Sequence, residues 1–283
     1  MEEACSSGDF TAAKQCFESL FRYDEEPNDT IRVDMAPGAA DVIGRSLCAA
    51  ATNGHVLIVE YLLEQGAPIT QDLIVAVCRA DRVNIFEAML RHGWDINGWK
   101  AGIPPLRDAL TSVPCTQWLL EHGADPNPTC KGDSKDLLTY AAVFESTSIV
   151  ELLVNHGARV RGTLAIHAAA AATSTLTDDC TWEPDPSRVE VLRILLDNGA
   201  DVNEMEEDPK WRKNRRLRTC FTGTPLHHAV QYPSLDAVRF LLSRGADPLH
   251  PSWSGHTVIE AAERAGREDV VEMLRQHVQC ATQ

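Results

Sequence analysis

Short apolar blocks recur along the chain, and each is followed three residues later by glycine. Tyr61-Leu62-Leu63 precedes Gly66, Ala88-Met89-Leu90 precedes Gly93, and Trp118-Leu119-Leu120 precedes Gly123. Leu152-Leu153-Val154, Ile194-Leu195-Leu196 and Phe240-Leu241-Leu242 stand in the same way before Gly157, Gly199 and Gly245. Each block reads as the buried stripe of an amphipathic helix. The glycine after it is the residue best able to take the left-handed conformation that closes a helix. Upstream of most blocks lies a second apolar stretch rich in alanine, such as Leu47-Cys48-Ala49-Ala50-Ala51, Leu138-Thr139-Tyr140-Ala141-Ala142 and Ile166-His167-Ala168-Ala169-Ala170. The pattern therefore predicts two helices and a tight reversal, repeated. The six glycines are spaced 27, 30, 34, 42 and 46 residues apart.

One repeat is complete enough to name. In Thr224-Pro225-Leu226-His227-His228-Ala229, Thr224 can cap a helix, Pro225 fits its first turn, and Leu226 and Ala229 share a face. This T-P-L-H-x-A pattern, with glycine spacings scattered around that family's period of about 33, resembles the ankyrin repeat. The resemblance implies an all-α ankyrin solenoid of about seven helix-turn-helix repeats behind a degenerate N-terminal capping unit, with short hairpin fingers. It also implies a non-catalytic role in protein–protein interaction through a concave groove formed by finger tips and first helices.

The whole chain can be divided on this grammar, as a single domain spanning 1–283. Ala4 to Arg22 resembles a shortened first repeat, and the polar stretch Tyr23 to Ala39 is expected to be a loop, so 1–39 is cap and loop. Residues 40–245 hold the central repeats. The repeat from Ala67 to Gly93 is too short for a finger, whereas the next keeps one in Asp95-Ile96-Asn97-Gly98-Trp99-Lys100. Insertions fall near 173–187, between two helices, and near 204–222, in a finger. Residues 246–283 form a C-terminal capping repeat whose polar last helix suits an exposed end.

Composition narrows the setting. The net charge of −15 disfavours general nucleic-acid binding and favours a basic partner surface. Nine scattered cysteines without a C-x-x-C are the usage of a reducing compartment, and no apolar run reaches membrane-spanning length. A cytoplasmic protein is expected, a monomer in preference to an oligomer, with a protein partner and no membrane contact.

No G-x-S-x-G, H-E-x-x-H, Walker or dinucleotide motif occurs, so no catalytic residue, cofactor or metal is expected. Trp99 with Lys100 and Trp253 with His256 map to finger tips, Phe221 ends the inserted finger, and His228 replaces a usual apolar residue. These six are the candidate partner contacts, because exposed aromatics dominate interface energetics. For Trp99 and Trp253, packing on the next finger is an equal alternative. His228 is either a groove residue or a core histidine. The inserted finger carries Lys210, Trp211, Arg212, Lys213, Arg215, Arg216 and Arg218, which suggests nuclear import or an acidic contact, or else pairing with its own acidic half. The alternative functions are thus a nuclear regulator using that finger, or a small-molecule enzyme or accessory factor of a metabolic pathway using the groove. Asn127 and Asn203 resemble asparagines hydroxylated in some ankyrin proteins; the plainer reading is that they close the reversal.

Overall fold

The computed structural model describes the chain except for residues 26–30, 36–37, 99–102, 129–135, 173, 177–181, 207–222, 233 and 282–283. It divides into two compact bodies, Met1–Asp125 and Pro126–Gln283.

The N-terminal body holds α1 (Glu2–Ser7), α2 (Phe10–Glu18), a hairpin of β1 (Phe21–Glu25) and β2 (Ile31–Met35), then α3 (Ala39–Asn53), α4 (Val56–Glu64), α5 (Gln71–Arg79), α6 (Val83–Arg91), α7 (Pro105–Ala109) and α8 (Val113–Glu121). Odd-numbered helices pack on one another in one layer and even-numbered helices in a second. The core lies between the layers. Leu47, Ile58, Leu62, Leu73, Ile74, Ile85, Phe86 and Met89 are all sealed from water there.

The C-terminal body repeats the scheme with α9 (Leu137–Phe144), α10 (Thr147–Asn155), α11 (Ala165–Ala171), the short strands β3 (Ser174–Leu176) and β4 (Trp182–Pro184), α12 (Pro186–Asp197), α13 (Pro225–Ala229), α14 (Leu235–Ser243), α15 (Val258–Arg264) and α16 (Glu268–Ala281). Its layers are α9–α11–α13–α15 and α10–α12–α14–α16. Alanines 165, 169, 170, 229, 261 and 262 are fully buried in the first layer, where small side chains let the backbones approach closely. Among the described residues the fold is thus an all-α repeat array of eight helix pairs.

Local chemistry explains the element ends. Asp9, Thr70, Ser112, Asp136 and Thr257 each accept a backbone N–H from the first turn of the helix they precede. The six reversal glycines all have φ between +79 and +93. Each is followed by a backbone bond from the next amide to a carbonyl of the helix just ended, for example Ala124 N to Leu119 O at 2.9 Å.

The first helix pair, α1 and α2, buries Cys5, Ala13 and Phe17. It is tied to the first full repeat by His55 Nε2, 2.9 Å from the Ser6 carbonyl, and by Asn53 Nδ2 donating to Ser6 Oγ at 3.2 Å. The segment after it differs from expectation. Instead of a loop throughout, Phe21–Glu25 and Ile31–Met35 pair as antiparallel strands in register Phe21↔Met35 to Glu25↔Ile31. Its alternating residues, Phe21, Tyr23 and then Ile31, Val33, Met35, are the strand signal that its prolines and charges obscured. A smaller hairpin, Ser174↔Pro184 to Leu176↔Trp182, likewise occupies the insertion between α11 and α12.

The joint between cap and first repeat is a strict test of this packing. Gly8 has φ +80, and a Cβ there would stand 2.6 Å from the His55 ring. Gly8→Ala is expected to lower the unfolding free energy by about 1–3 kcal/mol, read as a shifted midpoint in urea denaturation.

Candidate functional site

The fingers are built on a repeated side-chain bridge. In the N-terminal body, Asn97 Nδ2 donates to the Gly123 carbonyl at 3.0 Å while its Oδ1 accepts from Asp125 N at 2.8 Å. In the C-terminal body, Asn127 does the same with Gly157 O at 2.8 Å and Arg159 N at 2.7 Å. Asn203 does so with Gly245 O at 3.2 Å and Asp247 N at 2.8 Å. Each amide thus satisfies both groups of the next reversal. Where the sequence lacks the asparagine, Arg161 substitutes, its Nε donating to Gly199 O at 2.6 Å. Asp95, Asp201 and Asp247 hold the turns from below by accepting the amide two residues on. Both candidate modification positions, Asn127 and Asn203, therefore have their amides committed.

A second bridge uses imidazole. His227 is completely buried; its Nδ1 accepts the Thr224 N–H at 3.1 Å, so its proton is assigned to Nε2, which faces the His256 carbonyl at 3.2 Å. His167, at the equivalent position of α11, points Nε2 at the Glu204 carbonyl at 2.8 Å. Burial pushes the His227 pKa down to about 4. The neutral ring is the form the fold requires.

The candidate contacts separate on inspection. Trp99, Lys100, Phe221 and the basic finger residues Lys210, Trp211, Arg212, Lys213, Arg215, Arg216 and Arg218 lie outside the described residues. Trp253 is 48% exposed, yet its indole N–H donates to the Glu206 carbonyl at 2.8 Å, which fixes the ring's orientation. Leu249, on the same finger, is 52% exposed. His256 sits beside Trp253 with Nδ1 at 3.8 Å from Glu260 Oε2, and its carbonyl serves His227.

His228, for which the sequence left a groove and a core position open, is buried. It is 7% exposed, with Nε2 3.4 Å from Glu206 Oε1 and its ring edge-on to His167 at 5.6 Å. A polar side chain so placed steadies the stem of the inserted finger from within. Glu206, buried despite its charge, was not singled out by sequence reasoning. It stands in an acidic run, where solvation is the ordinary expectation.

Trp94 was also missed. It is 7% exposed and stacks on Phe86 at 5.5 Å; Phe86 in turn stacks on Trp118 at 5.2 Å, and Trp118 on His122 at 3.7 Å. The signal was available. Trp94 follows Gly93 where Ala124, Ala200 and Ala246 follow the later glycines.

Among the described residues no three His, Cys, Asp or Glu gather as a metal site, and no helix is long and apolar enough to cross a membrane. The model of ankyrin repeats in three copies matches residues 47–130, 109–206 and 189–283. The chain belongs to the ankyrin-repeat family. Human ankyrin repeat and SOCS box protein 6 is 33% identical over 140 residues, 50% of this chain and 30% of that protein. A putative E3 ubiquitin-protein ligase of Arabidopsis thaliana, XBAT34, is 33% identical over 89 residues, 31% of this chain and 21% of its own. Human 2-5A-dependent ribonuclease is 38% identical over 78 residues, 28% of this chain and 9% of its own. This ankyrin chain thus spans less than a third of each of these relatives. The crystal structure of the human ASB11 ankyrin repeat domain shares the fold, with a TM-score of 0.58 and 20% identity over 82% of this chain and 96% of that one.

Two outcomes follow for this ankyrin array. Asn203→Ala removes both bonds to the Gly245 reversal and is expected to cost roughly 1–3 kcal/mol in urea unfolding. The second concerns His227, whose unfolded pKa near 6.5 lies above its folded value of about 4, so the unfolded state binds the proton first. Stability is whole above pH 6.5 and falls on acidification through the window from 6.5 to 4, by an amount on the order of 3 kcal/mol. Denaturation at pH 7 and pH 4.5 should show a larger loss for the natural protein than for His227→Gln.

Proposed function

We propose that this chain is a non-catalytic binding module, an adaptor, scaffold or inhibitor that holds a protein partner on its finger and first-helix face. Ankyrin repeats are in general protein–protein interaction modules. The observation that carries the reading is Trp253: half exposed, yet held in one orientation by the Glu206 carbonyl. An aromatic ring already ordered before binding contributes apolar area at little further entropic cost. Leu249 extends the apolar surface of the same finger, and the bridges of Asn203 and His227 hold its base.

The relatives are named for different things, a SOCS box, a ubiquitin ligase and a ribonuclease. What this chain shares with all of them is the repeat segment. The described cysteines are free thiols, with Cys5, Cys78 and Cys115 buried as small apolar residues, which supports a reducing compartment such as the cytoplasm.

The test is affinity capture with chemical cross-linking from a native extract, comparing the natural protein with Trp253→Ala/Leu249→Ala. Because both side chains are about half exposed, the variant should keep its circular dichroism, with only a small drop in melting point from losing the bond between Trp253 and Glu206. Recovery of the cross-linked partner should fall at least tenfold. Full recovery with the variant would remove the last finger from the interface. Turnover of a metabolite by the purified chain alone would overturn the module reading itself.

A further inference from the structure

The repeat between Gly66 and Gly93 lacks its finger. Ala67-Pro68-Ile69 runs directly to Thr70, which caps α5. In later repeats a finger side chain bonds the following reversal, as Asn97, Asn127, Arg161 and Asn203 do. Here the space beside the reversal is open, as a recess of about 470 Å³ whose walls include Leu63, Pro68 and Ile69 on one side and His92, Trp94 and Asp95 on the other. Trp94 occupies the position taken by a small alanine elsewhere, so the missing finger is only partly made up by a larger side chain.

Two features say what the recess would take. The first is an unmet hydrogen bond. The Trp94 indole Nε1 is sealed from water and has no acceptor. Such a donor is destabilising while it lacks a partner, and an arriving carbonyl would relieve that cost. The second is charge. Residues 1–125 carry nineteen Asp and Glu against nine Lys and Arg. Arg91, the nearest cation in sequence, is already paired with Glu60, while Asp95 stands at the wall. Apolar walls, a donor lacking an acceptor and a negative surround define complementary chemistry.

We propose that this recess is the anchor site for an extended, basic peptide segment of a protein partner, which inserts one large apolar side chain flanked by lysine or arginine and supplies a backbone carbonyl to Trp94. The segment takes the place of the absent finger. The proposal rests on the binding-module reading and adds the location and chemistry of the ligand. Because Trp94 Nε1 is covered, its ring must shift within the stack on Phe86 for the bond to form. Binding therefore carries a signature at that ring.

The experiment selects from a phage-displayed random dodecapeptide library on the intact protein. A selected peptide is then titrated against the natural protein, Ile69→Arg and Pro68→Arg. Pro68 is exposed, so its substitution leaves folding intact even if Ile69→Arg does not. Fluorine NMR of protein labelled with 5-fluorotryptophan reports the rings, the Trp94 resonance being assigned by its loss in Trp94→Phe. The expected result is a consensus of one large apolar residue beside Lys or Arg, affinity reduced at least tenfold by either arginine, and a shifted Trp94 resonance. An acidic or purely polar consensus, unchanged affinity in Pro68→Arg, or an unmoved Trp94 resonance would overturn it. A partner captured through the last finger but indifferent to Pro68→Arg would sink this inference alone. Absence of any captured partner or selected peptide would sink the module reading with it.

Discussion

A helix pair of this length cannot bury its own apolar face, so everything depends on how one pair is fastened to the next. The fastening is the two-point bond of a finger amide to the following reversal. Asn97, Asn127 and Asn203 each donate a hydrogen bond to a glycine carbonyl and accept one from the amide two residues beyond that glycine. This sets the spacing and rotation between neighbours at the rim. Leucine and alanine contacts do the same in the core, and the fingers inherit their positions from both. The histidine bridges from α11 and α13 act in parallel, joining a first helix to the next finger.

Much of this was legible in the sequence because the repeats are local. The apolar triplet and its glycine specify a helix end within a few residues, and all six reversals were found where the glycines stand. The capping threonine and proline of α13 were readable for the same reason. The hairpin at Phe21–Met35 was not, since its strands pair across a polar connection and short-range signals favoured a loop. His228 remained ambiguous because its burial depends on Glu206 and His167, which are 22 and 61 positions away in the chain. Trp94 was legible in principle, as a departure from Gly-Ala, but its meaning depends on a finger missing from the preceding repeat. An absence is hard to see in a list of residues.

The candidate surface divides the same way. Sequence position alone placed Trp253 at a finger tip, and the structure adds that its nitrogen is engaged while its ring stays largely open. Burial also separates the histidines by task. His227 holds the stack, His228 supports a stem, and His256 offers its carbonyl inward with its ring near the surface.

Apart from Arg161, the fastenings share one further property: asparagine amides, neutral imidazoles and backbone carbonyls carry no net charge. Ions in the surrounding medium have almost nothing there to screen, whereas attraction between an acidic surface and a basic ligand decays over about 10 Å at 0.1 M salt. The scaffold should thus stay stiff at ionic strengths that would weaken a contact resting on opposite charge.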